Sequence, residues 1–398
     1  MRTQTLEMDV VVIGGGIAGL WTANSLHKFG YQTLLIENQT LGHGQTICSQ
    51  GIIHGGLKYA LTGKLSGSAN AIESMPQRWQ AALQGEGDLD LRNVHVLSDH
   101  QLLWSTGQLS SNISSFFASK LLKSRIRKLD PSHFPTLLQN PKFKGHVYRL
   151  SEIVLDPASL LQALADPIQN CLLKTHTPEY QVIHDPNHPQ NIVELQLPYP
   201  DQQLIIKAKR FVLTAGQGNQ SLSSEPMQKR PLHMVVMKAK NLSPLYAHCI
   251  GSGSTPRMTI TTHTTQDGSN VWYLGGDLAE SGTQRTQEEQ VAFAKKEVKT
   301  LFPWFDTQDI EWFSFFIDRA EPKQKDGKRP ETAFIEQKGN VITAWPTKLA
   351  LSPILSDRVV EQLQRDNIQP STKSSEEILA KFPKPSVAKP MWEASSTE

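Results

Sequence analysis

The stretch DVVVIGGGIAG, residues 9–19, determines how this chain is organised. Residues 10–13 are apolar and β-branched, a pattern typical of a buried parallel strand. The glycine pattern G-x-G-x-x-G follows directly, and we expect a helix over residues 20–29. A second strand is predicted over residues 31–36, with Glu37 at its end. This order of strand, glycine turn, helix, strand and acidic residue indicates a Rossmann-type unit that binds a dinucleotide.

Each residue type in the unit has a physical task in binding. Gly14 makes the tight turn, Gly16 lets a pyrophosphate approach the backbone, and Gly19 lets helix and strand pack closely. The helix N-terminus offers N–H groups and the positive end of its dipole to phosphates. Glu37 can accept hydrogen bonds from ribose hydroxyls and disfavours NADP, while FAD and NAD both remain open. The alternative is an ordinary strand–helix turn. The predicted binding residues of this unit are Gly14, Gly15, Gly16, Ile17, Ala18, Gly19 and Glu37.

Length, charge, cysteine spacing and the lengths of apolar runs limit the classes of protein to which this chain can belong. A chain of 398 residues is expected to fold as two domains. With 40 basic and 38 acidic residues, nothing favours nucleic acid or an anionic membrane as a partner. The three cysteines, at positions 48, 171 and 249, form no C-x-x-C pair, which disfavours a disulfide framework and a zinc site. No apolar run reaches the length of a transmembrane segment, and the first strand begins too early for a signal peptide. We expect a cytoplasmic protein, with peripheral membrane contact as an open alternative.

The remaining chain predicts alternating helices and strands. Residues 38–59 are rich in glycine and small polar residues and indicate a long functional loop. Asp156 and Pro157 mark a helix start. The tail after residue 368 is rich in Ser, Pro, Lys and Glu and is predicted to be mobile. Further helices are predicted over residues 63–78, 114–122, 286–300 and 352–364. Strands are predicted as a pair within 91–104 and over 146–154, 181–183, 192–197, 204–208, 211–213, 226–238, 259–263, 271–276, 309–317 and 340–344.

In the order of its motifs the chain resembles FAD-dependent oxidoreductases of the D-amino-acid oxidase type. That family includes glycine oxidase, sarcosine oxidase, glycerol-3-phosphate dehydrogenase and L-2-hydroxyglutarate dehydrogenase. The resemblance extends to about residue 365. It rests on the glycine turn with Glu37, GQTICSQGIIHGGLKY, LDPASL, FVLTAG, and DRAEPKQKDGKRP followed by VITAWPTKLALSP.

The resemblance implies an α/β fold with two interleaved domains and non-covalently bound FAD. A Rossmann-type FAD-binding domain would comprise residues 1–76, 151–225 and 321–368. An antiparallel-sheet α+β substrate domain would comprise residues 77–150 and 226–320, and residues 369–398 would form the tail.

The resemblance also implies further FAD-binding residues. One loop would wrap the cofactor, a strand backbone would pair with adenine, and small residues would pass under the ribose and pyrophosphate. The alternatives are a solvated surface loop and an ordinary strand. The residues concerned are Thr46, Ser49, Gln50 and Gly51 for the loop, Val182 for adenine, and Ala215 and Gly216 for the ribose and pyrophosphate.

The turn before the last helix departs from the family pattern. Thr347, Lys348 and Leu349 would carry backbone N–H groups toward the flavin N1 and O2 edge, where a positive dipole stabilises reduced flavin. The amino-acid oxidases have a glycine-rich turn here, whereas this chain has Trp345 and Pro346 before Thr347. Lys348 could supply a positive charge directly, and the alternative is a surface lysine.

Two residues are candidates for catalysis. Arg319 matches the arginine that clamps a substrate carboxylate with a guanidinium fork, and the alternative is a salt bridge with Glu321 or Asp318. His54 could take the proton of an alcohol as hydride leaves for flavin N5, and the alternative is a packing or FAD-orienting role. Cys48 lies near the position where some relatives attach FAD covalently through histidine, but we expect a buried free thiol.

These residues predict oxidation of a CH–OH bond next to a carboxylate, favoured by the segment IIHGGLKY. The alternatives are oxidation of a CH–NH bond, an NAD-dependent dehydrogenase and a non-catalytic flavin-binding protein. The expected partners are a small-molecule carboxylate and an electron acceptor, which is oxygen, a quinone or a carrier protein.

Overall fold

Two eight-stranded β-sheets dominate the computed structural model. The structure describes residues 2–56, 72–105, 126–177, 180–251, 255–325, 330, 332–372 and 376–393. The strands are β1 Arg2–Ile13, β2 Thr33–Glu37, β3 Val96–Ser98, β4 Gln101–Ser105, β5 Ile126–Lys128, β6 His146–Leu150, β7 Val154–Leu155, β8 Leu172–Lys174, β9 Gln181–His184, β10 Ile192–Tyr199, β11 Gln202–Leu213, β12 Met227–Ala239, β13 Ala247–Ile250, β14 Met258–Thr264, β15 Asn270–Gly275, β16 Glu311–Pro322, β17 Phe334–Lys338 and β18 Val341–Trp345. The α-helices are α1 Ile17–Lys28, α2 Met75–Leu83, α3 Pro157–Ala165, α4 Asn219–Leu222, α5 Asp277–Glu280, α6 Gln287–Leu301, α7 Ser352–Arg365 and α8 Glu376–Leu379.

The first sheet contains the predicted Rossmann-type unit. Its order is β17-β18-β11-β1-β2-β8, and β10 and β9 extend it from β11. The pairs β1–β2, β1–β11, β2–β8 and β11–β18 are parallel, so the carboxyl ends of these strands lie at one edge. Helix α1 covers one face because Leu20, Ala23 and Leu26 are fully buried. The prediction of an α/β fold with this unit is confirmed.

The second sheet is mostly antiparallel, in the order β16-β12-β15-β14-β13-β4-β6-β5. One face packs on α6, whose Ala294 and Val298 are fully buried in a core with Val235 and Trp272. Thr286 caps that helix in a reciprocal capping box with Glu289, as its sequence favours. The opposite face points toward the first sheet.

Both sheets draw on separate segments of the chain. The first uses residues 2–37, 172–213 and 334–345, and the second uses residues 101–150, 227–275 and 311–322. The predicted boundary between residues 76 and 77 falls inside α2, and Trp79, Leu91 and Val94 belong to the core of the first sheet. The segment 75–94 therefore packs with the first sheet.

Several local predictions need correction. Residues 204–208 and 211–213 form one continuous strand, β11, because the intervening Lys209 and Arg210 stay in parallel register with β1 and form ion pairs with Asp9 and Asp366. The strands within residues 91–104 do not pair with each other, since β3 pairs with β7 and β4 pairs with β6 and β13. Strands β5, β8, β13 and β17 were not predicted from their short apolar runs. The predicted helix over residues 114–122, and residues 63–71 of another, lie outside the described residues.

The C-terminal segment is packed, so the prediction of a mobile tail is wrong for residues 376–393. Phe382 and Trp392 are 4% and 6% exposed. The N–H of Leu41 donates to the Ser386 carbonyl at 2.8 Å, and the N–H of Ala388 donates to the Leu41 carbonyl at 3.0 Å. Its few apolar side chains are buried against the two sheets. The low average hydrophobicity of the segment was therefore a misleading sign of mobility.

Among the described residues, none of the helices is long and apolar enough to serve as a membrane span.

Candidate cofactor and active site

A cavity of about 1140 Å³ opens where the carboxyl ends of β1, β2, β11 and β18 face the second sheet. Ligands of open α/β sheets bind at this edge. The volume exceeds the roughly 300–1,000 Å³ of ordinary small-molecule pockets. It therefore has room for a ligand larger than one small substrate molecule. All of the predicted site residues line this cavity except Gly19.

The three glycines of the turn differ in what surrounds them. Gly14 has a φ of 108°, and a Cβ there would lie 2.5 Å from Cα of Ala215. A Cβ at Gly19 would lie 1.9 Å from the carbonyl oxygen of Gly14, so Gly19 serves helix–turn packing. A Cβ at Gly16 would meet only the hydroxyl of Thr46, at 3.2 Å, on the cavity wall. Gly16 is thus the position where the missing side chain leaves room for a ligand.

Polar groups around the turn fit a dinucleotide. Glu37 Oε2 accepts a hydrogen bond from the N–H of Gly15 at 2.7 Å, which holds the carboxylate at the cavity. The N–H of Ile17, at the start of α1, donates to Thr46 Oγ1 at 3.2 Å. The first turn of α1 contains no acidic residue, so its positive dipole end can attract phosphate oxygens. The cradle and the donor set both suit a pyrophosphate flanked by a ribose.

The loop that begins at Gly42 is built into the structure, so the surface-loop alternative is wrong. Gln50 Nε2 donates to the carbonyl of Tyr273 at 2.9 Å, which ties the loop to the second sheet. Gly51 has a φ of 67°, and a Cβ there would lie 1.9 Å from the Leu155 carbonyl oxygen. Ser49, which precedes these two residues, lines the cavity. The loop therefore packs against β7 and is tied to β15 of the second sheet along the cavity.

Val182, Ala215 and Gly216 line the same cavity from β9 and from the turn after β11. The carbonyl of Gly216 accepts a hydrogen bond from Trp345 Nε1 at 3.1 Å, which joins two of the edge turns. Tyr180, which the motifs did not reveal, also lines this end, and burial raises the pKa of its hydroxyl to about 12.

The turn before α7 has an unusual backbone. Thr347 has a φ of 61°, a left-handed conformation that is rare for a β-branched residue, and its hydroxyl donates to the Thr332 carbonyl at 3.1 Å. Strained backbone of this kind concentrates at ligand sites. Lys348 is only 7% exposed and lines the cavity, so the surface-lysine alternative is wrong. Leu349 follows in a short 3₁₀ turn that leads into α7.

Arg319 lines the cavity from β16 and is also ion-paired. Its Nη1 lies 3.3 Å from Oε1 of Glu280, and its Nε donates to the Arg230 carbonyl at 3.4 Å. The alternative role was a salt bridge with Glu321 or Asp318, whereas this ion pair is with Glu280; Glu321 Oε1 lies 3.3 Å from Arg230 Nη1. Arg230 and Arg319 are cross-strand neighbours, so two glutamates neutralise two adjacent arginines.

His54 meets two residues that sequence reasoning missed. Its Nδ1 lies 3.2 Å from Oε2 of Glu152, a side chain only 1% exposed. The ring of His248 stacks on that of His54, with 5.8 Å between ring centroids. One nitrogen or oxygen atom of each of the three side chains lies within 4.8 Å of the others, which also makes them a potential set of metal ligands. Their separation along the chain, 98 residues between His54 and Glu152, left no local signal.

Cys48 is a free, half-buried thiol, as expected. Burial raises its pKa to about 11, which keeps the sulfur protonated near neutral pH and makes it a weak nucleophile. Its carbonyl accepts a hydrogen bond from the Tyr273 hydroxyl at 2.8 Å, a second link between the loop and the sheet.

Comparison with known proteins agrees with this geometry. The family model for FAD-dependent oxidoreductases matches residues 9–329. The chain is 44% identical to the probable FAD-dependent oxidoreductase PA4991 of Pseudomonas aeruginosa over 399 aligned residues, which cover 98% of this chain and 99% of that protein. The crystal structure of PA4991 superposes with a TM-score of 0.83 over 98% of each chain.

More distant structures share the fold alone. Glycine oxidase from Geobacillus kaustophilus has a TM-score of 0.61 at 14% identity, over 92% of this chain and 96% of that one. FAD-bound L-α-glycerophosphate oxidase from Mycoplasma pneumoniae has a TM-score of 0.60 at 15% identity, over 90% and 95% of the two chains. The family match and the relative aligned over 98% of this chain show that the chain belongs to the FAD-dependent oxidoreductase family, whose cofactor is FAD.

Proposed function

We propose that this enzyme oxidises a CH–OH group next to a carboxylate, in a 2-hydroxy acid or a similar substrate. The observation that carries the proposal is the imidazole of His54 on the cavity wall, with a carboxylate behind it. Bound FAD supplies a hydride acceptor at N5. An alcohol must lose its hydroxyl proton as hydride leaves, so it needs a base, whereas a neutral amine already carries a lone pair.

In this proposal Arg319 binds the substrate carboxylate. Arg319 lines the cavity with a side chain that is 16% exposed, and a planar guanidinium fork suits two parallel hydrogen bonds to a carboxylate. Glu280, 34% exposed, balances its charge in the absence of substrate. His54 takes the hydroxyl proton, and buried Lys348 adds a positive charge to the cavity wall.

The test is reduction of the bound flavin without oxygen. Matched 2-hydroxy and 2-amino acids with the same side chain are mixed with the purified holoenzyme, and bleaching of the flavin absorbance is followed. We expect faster bleaching by the hydroxy acid. Bleaching by amino acids alone would replace this proposal with CH–NH oxidation. Subsequent addition of oxygen or a quinone identifies the acceptor.

A second measurement tests the carboxylate clamp. Arg319→Lys keeps the charge but loses the fork, so kcat/KM should fall roughly 30- to 1000-fold, or about 2–4 kcal/mol, with FAD content unchanged. The matched control is Arg210→Lys, because Arg210 pairs with Asp366 at 2.8 Å and does not line the cavity. An equal loss in the two variants would contradict the clamp.

A further inference from the structure

The buried carboxylate of Glu152 contacts one backbone N–H group and one ring nitrogen of His54. Oε1 accepts from the backbone N–H of Gly55 at 2.8 Å, and Oε2 lies 3.2 Å from His54 Nδ1. A carboxylate that is 1% exposed is costly unless such donors satisfy it. The two chain segments are also joined by their backbones, since the N–H of Ile53 donates to the Ile153 carbonyl at 2.9 Å. Glu152 is therefore fixed relative to the ring of His54.

This contact selects one tautomer of His54. A carboxylate can only accept hydrogen bonds, so the proton of a neutral imidazole must reside on Nδ1. The basic nitrogen is then Nε2. The ring of His248 lies beside that of His54, inclined by 27° with 5.8 Å between the ring centroids. His248 is itself held by a hydrogen bond of 2.9 Å between its Nδ1 and Thr259 Oγ1.

We propose that Glu152 is the positioning residue of a carboxylate–imidazole pair that prepares His54 Nε2 to accept the substrate proton; this rests on the proposed function. The substrate O–H bond breaks, its proton forms an N–H bond at Nε2, and the C–H electron pair leaves as hydride for FAD. A C=O bond results, and the imidazolium formed lies beside an opposite charge. Glu152 keeps its charge and does not itself take the proton.

The main test compares Glu152→Gln and Glu152→Asp in the holoenzyme. Glutamine keeps the size but loses the charge, so kcat should fall about 100-fold or more, with KM within about twofold and FAD content unchanged. The solvent deuterium isotope effect on flavin reduction should rise, since proton transfer becomes slower. Aspartate keeps the charge and should recover part of kcat. Unchanged kcat in Glu152→Gln, or a loss of FAD in proportion to activity in both variants, would overturn the proposal.

A matched control removes another buried carboxylate. Asp9 is fully buried within β1, accepts from the N–H of Gln32 at 2.8 Å, and does not line the cavity. Asp9→Asn should lower the melting temperature and leave the kcat of the folded enzyme unchanged. If it reduced kcat as much as Glu152→Gln does, the effect would be structural.

A second arm needs no substrate, so it separates this inference from the proposed function. In histidine-labelled protein, nitrogen NMR reports which nitrogen of His54 carries the proton, with His54→Asn giving the assignment. We expect the Nδ1-protonated form even if only amino acids reduce the flavin. A proton on Nε2 with Nδ1 bare would refute the pairing. A stoichiometric metal in the purified protein, lost in Glu152→Gln, would instead make the cluster a metal site.

Discussion

Removing the indole of Trp392 tests whether the C-terminal segment supports the loop that begins at Gly42. Trp392 is 6% exposed, and its ring centroid lies 5.3 Å from that of Tyr273 and 4.5 Å from that of His263. Tyr273 in turn donates its hydroxyl to the carbonyl of Cys48 and accepts from Gln50. The tryptophan therefore packs directly behind the residue that anchors the loop.

The expected effect follows from this packing. Truncating a buried tryptophan to alanine lowers the free energy of unfolding by about 3–5 kcal/mol, through lost burial and a residual cavity. Loosening Tyr273 weakens one hydrogen bond to the loop, with a net value of about 1 kcal/mol, so the Kd for FAD should rise roughly fivefold. Stability should thus change more than cofactor affinity does.

The assay is denaturant unfolding of the apoprotein, followed by FAD titration of the folded variant. Met391→Ala is the matched control, because Met391 is next to Trp392 in the chain and its side chain is 39% exposed. This substitution should change the free energy of unfolding by less than about 1 kcal/mol. A Trp392→Ala protein within about 0.5 kcal/mol of the parent would refute the packing. Unchanged FAD affinity in a destabilised variant would refute the link to the loop.

Further substitutions separate cofactor binding from folding. The Gly16→Ala protein should fold normally but bind FAD at least tenfold more weakly in titrations, because the added Cβ enters the cavity. The Gly14→Ala protein should unfold more easily, since the added Cβ would meet the Ala215 backbone at 2.5 Å. Acid precipitation should release all the flavin, since Cys48 is a protonated thiol; flavin retained in the pellet and lost in Cys48→Ala would show a covalent bond. Burial lowers the pKa of His263 from 6.5 to about 3. Between pH 6.5 and about 3 the imidazole is therefore protonated in the unfolded state but not in the folded state. The free energy of unfolding should fall as the pH drops below about 6.5. His263→Gln should flatten that part of the curve of unfolding free energy against pH, and an unchanged curve would assign the effect to other groups.

Local patterns were reliable where neighbouring residues decide the structure. The glycine turn was predicted with the tasks of Gly14 and Gly19, because its backbone angles and close contacts arise within a few residues. The cap at Asp156 was predicted for the same reason, since its side chain accepts from the backbone N–H of Ser159, three residues ahead. Short strands were missed where only pairing with distant strands stabilises them, as in β13.

The sequence by itself determined the nucleotide-binding unit, the fold class and, through the order of motifs, the family and its cofactor. Only the tertiary structure brought Glu152 and His248 to His54, buried Lys348, and paired Arg319 with Glu280. It also packed the polar C-terminal segment under Tyr273. The physical reason is range. Backbone conformation depends on neighbours in the chain, whereas charge pairing and burial depend on which distant surfaces the folded sheets bring into contact.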